Sequence, residues 1–408
     1  MKTIIITSIL LLCSNLVYSQ KKGFSYDFYG FIRGDLFYNT RKSVAPVDGN
    51  FYLYPLDNSY DAKGNDLNEV TNGTFYTFTT RLGIKIKGPR IGKARTSANI
   101  ETDFGGAGKK IALLRLRKAY VAFDWKKHHL LLGQTWHPLF GKVFPDILNL
   151  STGAPFQPFN RSPQIRYQYS EHGFTITASA LWQMQYASNG PEGVSTSYQK
   201  NGCIPEFYLG ADWKTDSGWL FGAGAHVLSI VPRLQTTWND KEYKVNERMT
   251  STSYEAHLNF KKDGIYVAGK TLLASALDHS ALLGGYGIKS IDPHNGEQKY
   301  TAFHHSTSWM NITYGKEWKP TLFVGYTKNL GTSHKLVSVD KLYGSGLNID
   351  QLMTANLGLS FNQAHWQIGI EGSLCTAWYG NVDTQDGKVE NTHSVSNLRI
   401  LGLIMYHF

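Results

Sequence analysis

Ser394-Val-Ser-Asn-Leu-Arg-Ile-Leu-Gly-Leu-Ile-Met-Tyr-His-Phe408 ends the chain, and this stretch decides the fold. Counting back from the terminus, every second residue is Phe408, Tyr406, Ile404, Gly402, Ile400 and Leu398. The intervening positions form a mixed set that becomes polar toward Arg399. A period of two with a terminal aromatic pair is typical of the strand that closes an outer-membrane β-barrel. The alternative is the last strand of a soluble β-sandwich.

The N-terminus has the features of a secretory signal peptide. Met1-Lys2 provides a positive start, an apolar core runs through Leu12, and Val17-Tyr18-Ser19 provides a cleavage site. Residues 1–19 are therefore expected to be removed, which leaves residues 20–408 as one exported domain. Cys13 does not fit a lipoprotein signal, because Leu12 precedes it where a small residue is expected.

The composition is unusual for a soluble enzyme. The 408 residues include 24 Tyr, 21 Phe and 40 Gly, and the mean hydropathy is −0.29. After the signal, no run approaches the ~20 apolar residues of a membrane helix, so short alternating strands are expected. Beyond Cys13, the two remaining cysteines make no disulfide framework. Without Lys2 the charged residues are 40 basic and 31 acidic, a formal +9.

Alternation continues along the mature chain. The first predicted strand, residues 24–39, carries apolar even positions and the charged pair Arg33 and Asp35. Residues 74–87 alternate in the same way, and the tight turn 88–92 follows. The pattern predicts an all-β, transmembrane antiparallel barrel of about sixteen strands (14–18 allowed), with seven short turns and eight other connections that are mostly long.

Tryptophans support this organisation. Half of the ten lie beside the predicted short turns, where an interfacial aromatic girdle belongs; these are Trp125, Trp213, Trp219, Trp318 and Trp366. The alternative, a soluble sheet, would place its tryptophans at strand centres.

If the apolar face meets lipid, the opposite face lines the lumen. Clustered guanidinium groups in a narrow passage attract anions. Parity places on this face Arg33, Asp35, Arg81, Lys85, Lys87, Arg95, Arg115, Arg117, Arg166 and Arg399. We expect Arg81, Arg115, Arg117 and Arg166 to form an anion ladder, or in part to pair with Glu101 and Asp103.

Three further expectations concern this lumen. Gln134 and Trp136 should shape its constriction, and Asp35 should position Arg33. Pairing of the terminal strand with the first should bring Arg399 beside Arg33. The apolar connection 137–162 is expected to fold into the lumen or to be buried at a subunit contact.

Other chemistry finds little support. His128-His129 and His304-His305 are adjacent strand residues that point to opposite faces, so neither pair predicts a metal site. The sequence has no G-x-S-x-G element, no P-loop and no organised nucleic-acid surface. We expect no enzymatic activity, no cofactor and no metal.

Four short motifs resemble the DcaP-like trimeric porin family, most clearly over residues 26–170. They are Tyr29-Gly-Phe-Ile-Arg-Gly-Asp35, Arg81-Leu-Gly83, Arg115-Leu-Arg-Lys-Ala-Tyr120 and Gly133-Gln-Thr-Trp136. The resemblance implies a sixteen-stranded homotrimeric channel with an arginine-lined constriction that takes up small anions such as dicarboxylates. Family members often carry an N-terminal periplasmic coiled coil, whereas only residues 21–25 precede the first strand here, so the trimer loses one support.

The sequence therefore predicts a porin of the Gram-negative outer membrane, in contact with its lipid and lipopolysaccharide, for passive diffusion of preferentially anionic solutes. One rival is a barrel hydrolase that acts on lipid. Another is a surface receptor or adhesin with a plugged lumen. By resemblance to energised receptors, a plug domain would need about 150 residues ahead of the first strand, and almost none are expected there.

Overall fold

The computed structural model describes residues 23–106 and 112–408. The predicted signal peptide lies outside these residues. Strand bounds are β1 Ser25–Asn39, β2 Ser43–Val44, β3 Tyr54–Pro55, β4 Asn72–Tyr76, β5 Arg81–Lys87, β6 Arg95–Asp103, β7 Arg115–Asp124, β8 His128–Trp136, β9 Arg161–Glu171, β10 Phe174–Leu181, β11 Glu206–Lys214, β12 Trp219–Ile230, β13 Gln235–Trp238, β14 Lys241–Lys244, β15 Met249–Lys262, β16 Ile265–Ser275, β17 Gly284–Ile291, β18 Gln298–Tyr314, β19 Trp318–Thr332, β20 Leu342–Ser345, β21 Ile349–Gln363, β22 Trp366–Val382 and β23 Val389–His407.

The helical content is small. In the described ranges, one α-helix, α1, spans Ser197–Gly202, and a 3-10 turn spans Asp278–Ser280. Within the described residues, no helix has the length and apolar character needed to cross a membrane.

The main sheet closes on itself as a sixteen-stranded antiparallel barrel. Each long strand pairs with its neighbour in sequence, β4 and β5 share the second position, and β23 pairs back onto β1. β17 and β20 extend one end of the sheet, while β2–β3 and β13–β14 form separate small hairpins. The predicted fold and strand number are confirmed.

The terminal strand β23 shows why the barrel has an apolar outside. Ile400, Ile404 and Tyr406 are exposed on the outer face, at 36–44% of their surface. On the other face Arg399 and Leu401 are at most 2% exposed, because they lie inside the barrel. This period-two separation is the one predicted from the sequence.

Connections also follow the predicted rhythm, with differences in detail. The seven predicted short turns join strands at one end, and the longer connections lie at the other. The second strand is interrupted at residues 77–80 instead of continuous. Near the C-terminus the strands run longer than expected, so that the connection predicted at 378–393 covers only 383–388.

The five predicted girdle tryptophans are all exposed on the outer face, by 36–60%. They pack on aromatic neighbours near the short turns. The ring-centroid distance is 4.9 Å from Trp366 to Tyr406 and 5.0 Å from Trp318 to Phe361. Because the rings lie outside and at one end, they form the aromatic belt that the sequence predicted.

The seam between β1 and β23 corrects one prediction. Arg399 faces Asn39, whereas Arg33 faces Met405. In this register Phe408 exchanges two backbone hydrogen bonds of 3.1 Å with Gly30. Arg399 therefore does not lie beside Arg33; its guanidinium packs 4.1 Å from the ring centroid of Phe37.

Much of the interior is filled by two loops. The inner loop, residues 137–160, buries Leu139, Val143 and Phe156 to 1% exposure or less. It packs against inward side chains of the wall, as in the contact of Phe156 with Phe323 at 6.4 Å between ring centroids. This confirms the lumen location expected for the 137–162 connection. Residues 51–54 of the first long connection also pack inside, which the sequence pattern did not predict.

Candidate pore constriction

Arg115 and Arg117 project from β7 into the barrel and pair with carboxylates of β6. Arg115 donates to both oxygens of Asp103, at 2.8 and 2.7 Å. Arg117 bridges the two acids, with Nε 2.9 Å from Glu101 Oε1 and Nη1 2.7 Å from Asp103 Oδ2. Of the two alternatives left open by the sequence, free guanidinium or ion pair, the structure shows the ion pair.

The strand pairing explains this contact. Asp103 lies directly opposite Arg115, and Glu101 lies opposite Lys118, with a register shift between Glu101 and Thr102. The shift lets Arg117 approach both acids. Paired charges facing one another across neighbouring strands stabilise the sheet and fix the rotamers of the guanidinium groups.

Further cations surround these pairs and exceed the acids in number. Lys118 Nζ lies 2.9 Å from Glu101, and Arg81 Nε lies 3.7 Å from the same carboxylate without a hydrogen-bond partner. Arg166 donates to the carbonyl oxygen of Trp136 at 2.5 Å. We define the constriction cluster as Arg81, Arg115, Arg117, Lys118, Arg161, Arg166, Glu101 and Asp103.

Arg161 is a member of the cluster that the sequence pattern missed. It is fully buried and stacks 4.8 Å from the ring centroid of Trp136, and its Nη2 donates to the hydroxyl of Tyr186 at 2.8 Å. Its separation from Arg166 is odd, so simple alternation puts the two on opposite faces. Alternation fails here because residues 161 and 162 are both buried where β9 leaves the inner loop.

The side chain of Gln134 contacts the neighbouring strand of the barrel wall, whereas that of Trp136 contacts the inner loop. The amide of Gln134 donates to the backbone oxygen of Leu116 at 2.9 Å, so this side chain ties β8 to β7. Trp136 stacks on Phe140 of the inner loop at 4.0 Å between ring centroids and also faces Arg117 at 5.8 Å. Trp136 is thus the aromatic surface on which two guanidinium groups rest.

Arg33 and Asp35 hold the inner loop. Arg33 Nη2 donates to Asp35 Oδ1 and to the carbonyl oxygen of Leu148, both at 2.7 Å. Asp35 also accepts from Asn50 and Thr79, at 3.1 and 2.9 Å. Asp35 therefore does position Arg33, as expected, and the pair fastens the loop that narrows the lumen.

The constriction cluster carries more positive than negative charge. In the described part of the chain, six cationic side chains of the cluster face two carboxylates. Positive charge in a passage with apolar walls raises the local concentration of anions. Because most donors already have protein partners, an anion that contacts them must compete with existing ion pairs and hydrogen bonds.

Solved structures with the same architecture are outer-membrane proteins. The outer membrane channel DcaP of Acinetobacter baumannii aligns with a TM-score of 0.69 at 19% identity, over 96% of this chain and 99% of that one. The fold is that of an outer-membrane porin. OmpT, an outer membrane protein of Vibrio cholerae, aligns at 0.56 with 11% identity, over 96% and 99% of the two chains.

A more distant porin has the same architecture. The anion-selective porin from Comamonas acidovorans aligns with a TM-score of 0.53 at 9% identity, over 94% of this chain and 100% of that one. Comparison with protein-family profiles and with curated protein sequences finds no match. The predicted likeness to DcaP-like porins is therefore confirmed at the level of the fold.

Proposed function

We propose that this protein is an outer-membrane porin for passive diffusion of small hydrophilic solutes, with a preference for anions such as dicarboxylates. The observation that carries the proposal is the cation surplus of the constriction cluster beside the inner loop. A solute carboxylate would exchange water for arginine donors, stay briefly, and leave down its gradient. No step requires a cofactor or bond chemistry, so we assign no enzymatic activity.

The solved relatives support the setting of this proposal. The relative from Comamonas acidovorans is an anion-selective porin, and one solved form of Vibrio cholerae OmpT is a trimer. We infer a homotrimer embedded in outer-membrane lipid and lipopolysaccharide after export by the signal peptide of residues 1–19. The exposed apolar face and aromatic belt suit that location.

Reversal potentials in planar bilayers under a salt gradient test the selectivity. We expect the wild-type channel to favour chloride over potassium, and a small dicarboxylate to compete with chloride current. Arg81→Gln should lower the anion-to-cation permeability ratio roughly two- to five-fold, because one weakly paired charge is lost from the passage. Glu101 keeps Arg117 and Lys118 as partners, so the variant should still fold.

Lys388→Gln is the matched control, because Lys388 is an exposed cation in the connection between β22 and β23. Its permeability ratio should stay at the wild-type value. A cation-selective wild type would overturn the anion preference. A folded barrel that does not conduct would favour the plugged receptor, and lipid release abolished by one serine substitution would favour the hydrolase.

A further inference from the structure

A buried carboxylate meets three histidines where the inner loop leaves the wall. Glu206 begins β11, His226 lies on β12, His137 opens the inner loop, and His279 lies in the 3-10 turn. These four side chains, the histidine cluster, come from four separate segments. Each residue is at most 3% exposed.

The imidazole nitrogens converge on one oxygen atom. From Glu206 Oε2, the Nε2 atoms of His226, His279 and His137 lie at 2.9, 3.2 and 3.6 Å. The ligating atoms of His137, His226 and Glu206 all lie within 4.8 Å of one another. Ligand atoms around a tetrahedral zinc ion, bound at about 2.0–2.2 Å, are about 3.3 Å apart. The cluster is therefore close to the size of a single-ion site.

An unpartnered nitrogen points into this cluster. His137 is fully buried, yet its Nε2 has no hydrogen-bond partner. A buried polar atom without a partner is costly, and a metal ion would satisfy it. The carboxylate is oriented from its other side, because Gln183 Nε2 donates to Glu206 Oε1 at 2.8 Å. Such an outer hydrogen bond is typical of ligating carboxylates.

We propose that His137, His226 and Glu206 bind a divalent transition-metal ion, zinc in the first place, with His279 holding the same carboxylate. Two imidazoles and one carboxylate suit zinc, nickel or copper, whereas magnesium and calcium prefer all-oxygen sites. The ion would join the start of the inner loop to the barrel wall, and so fix the element that narrows the lumen. Such a site differs from the sequence-based expectation of no metal.

Coordination has a consequence for the first turn of the inner loop. His137 Nδ1 accepts the backbone N–H of Leu139 at 3.1 Å, so the neutral ring carries its proton on Nε2. Binding through Nε2 moves that proton to Nδ1, and the Leu139 amide must then turn away.

The test uses the full chain without a polyhistidine tag, treated with chelator and folded in detergent. Cobalt(II) is titrated in, its visible absorption is recorded, and zinc is added in competition. We expect one tightly bound ion per chain with a four-coordinate spectrum. His226→Gln should weaken binding by more than about 100-fold, because a direct ligand contributes more than an outer-sphere partner.

His305→Gln is the matched control. His305 is also fully buried on the wall and both its ring nitrogens lack partners, yet it lies outside the histidine cluster. It should bind cobalt as the wild type does. If His226→Gln fails to give the compact band of a folded barrel on an unheated gel, His137→Gln in the loop replaces it.

Two results would overturn the proposal. One is a wild-type protein with no stoichiometric cobalt spectrum, which decides the question without any variant. The other is equal binding by wild type and a folded cluster variant, which would place the ion on surface histidines. Conductance is not a readout here, so the outcome is independent of the proposed transport function.

Discussion

Arg117 is the residue that links the two acids of the constriction cluster, because it bridges Glu101 and Asp103 and is only 2% exposed. Arg117→Gln should lower the free energy of unfolding by about 1–3 kcal/mol, since both acids lose a charged donor but keep others. Denaturant unfolding in detergent measures this loss. In a double-mutant cycle, Glu101→Gln should relieve part of it; strictly additive effects would contradict direct coupling.

Individual residues were predictable where alternation holds on both sides of the position. Arg33, Arg81, Arg115, Arg117 and Arg166 lie inside the barrel, as parity predicts. The histidine cluster was not predictable, because its members are far apart in sequence and only the closed barrel brings them together. Sequence spacing reveals a metal site only when ligands lie on one local element.

The inner loop is held by a clamp on the backbone of a single residue, Leu148. Arg33 donates to the Leu148 carbonyl oxygen at 2.7 Å, and Glu371 Oε2 accepts the Leu148 N–H at 2.6 Å. Glu371→Ala should free this part of the loop. We expect larger open-channel current fluctuations and faster proteolysis within residues 137–160, with a stability loss of about 1–3 kcal/mol.

Glu390→Ala is the control for that experiment, because Glu390 is an exposed carboxylate on the last strand. Its current traces should match the wild type. If the open-channel current of Glu371→Ala fluctuates no more than that of the wild type, the loop is held by its other contacts. One of these is the hydrogen bond from Lys270 Nζ to the Leu139 carbonyl oxygen at 2.6 Å. The clamp would then contribute to stability alone.

The sequence predicted the presence of the strands and of the inner loop better than it predicted their boundaries. The strands and the inward position of the apolar inner loop followed from hydrophobic pattern, since an apolar loop must be buried somewhere. The inward packing of residues 51–54 did not, because four consecutive buried residues have no strand or helix period. The break in the second strand at 77–80 was missed for a similar reason, since its flanks still alternate.

At the scale of the whole molecule, the sequence predicted closure but not register. Shifting one strand by an even number of residues keeps every side chain on its face, so parity cannot distinguish such registers. Arg399 was expected beside Arg33, six residues from the Asn39 that it faces. The stagger of a closed barrel is set by the whole ring of strands together.

This stagger places the terminal residue, Phe408, beside Gly30. A Cβ at Gly30 would overlap the carbonyl oxygen of Arg81 and lie 2.9 Å from Cζ of Phe408. Gly30→Ala should therefore strain the pairing of β1 with β5, and to a lesser degree the contact with Phe408, and lower the free energy of unfolding by about 1–3 kcal/mol. The fraction of compact barrel on unheated gels and the denaturant midpoint both report this loss.

Gly402 offers a control on the opposite strand of the same seam, because a Cβ there would come no closer than 3.8 Å to its nearest neighbour, Leu36. Gly402→Ala should change stability by no more than about 0.5 kcal/mol. If the two substitutions behave alike, small backbone shifts absorb the crowding at Gly30, and close approach there is not needed for stability. A selective loss in Gly30→Ala would show that β1 must approach β5 and the chain terminus closely at this point of the wall.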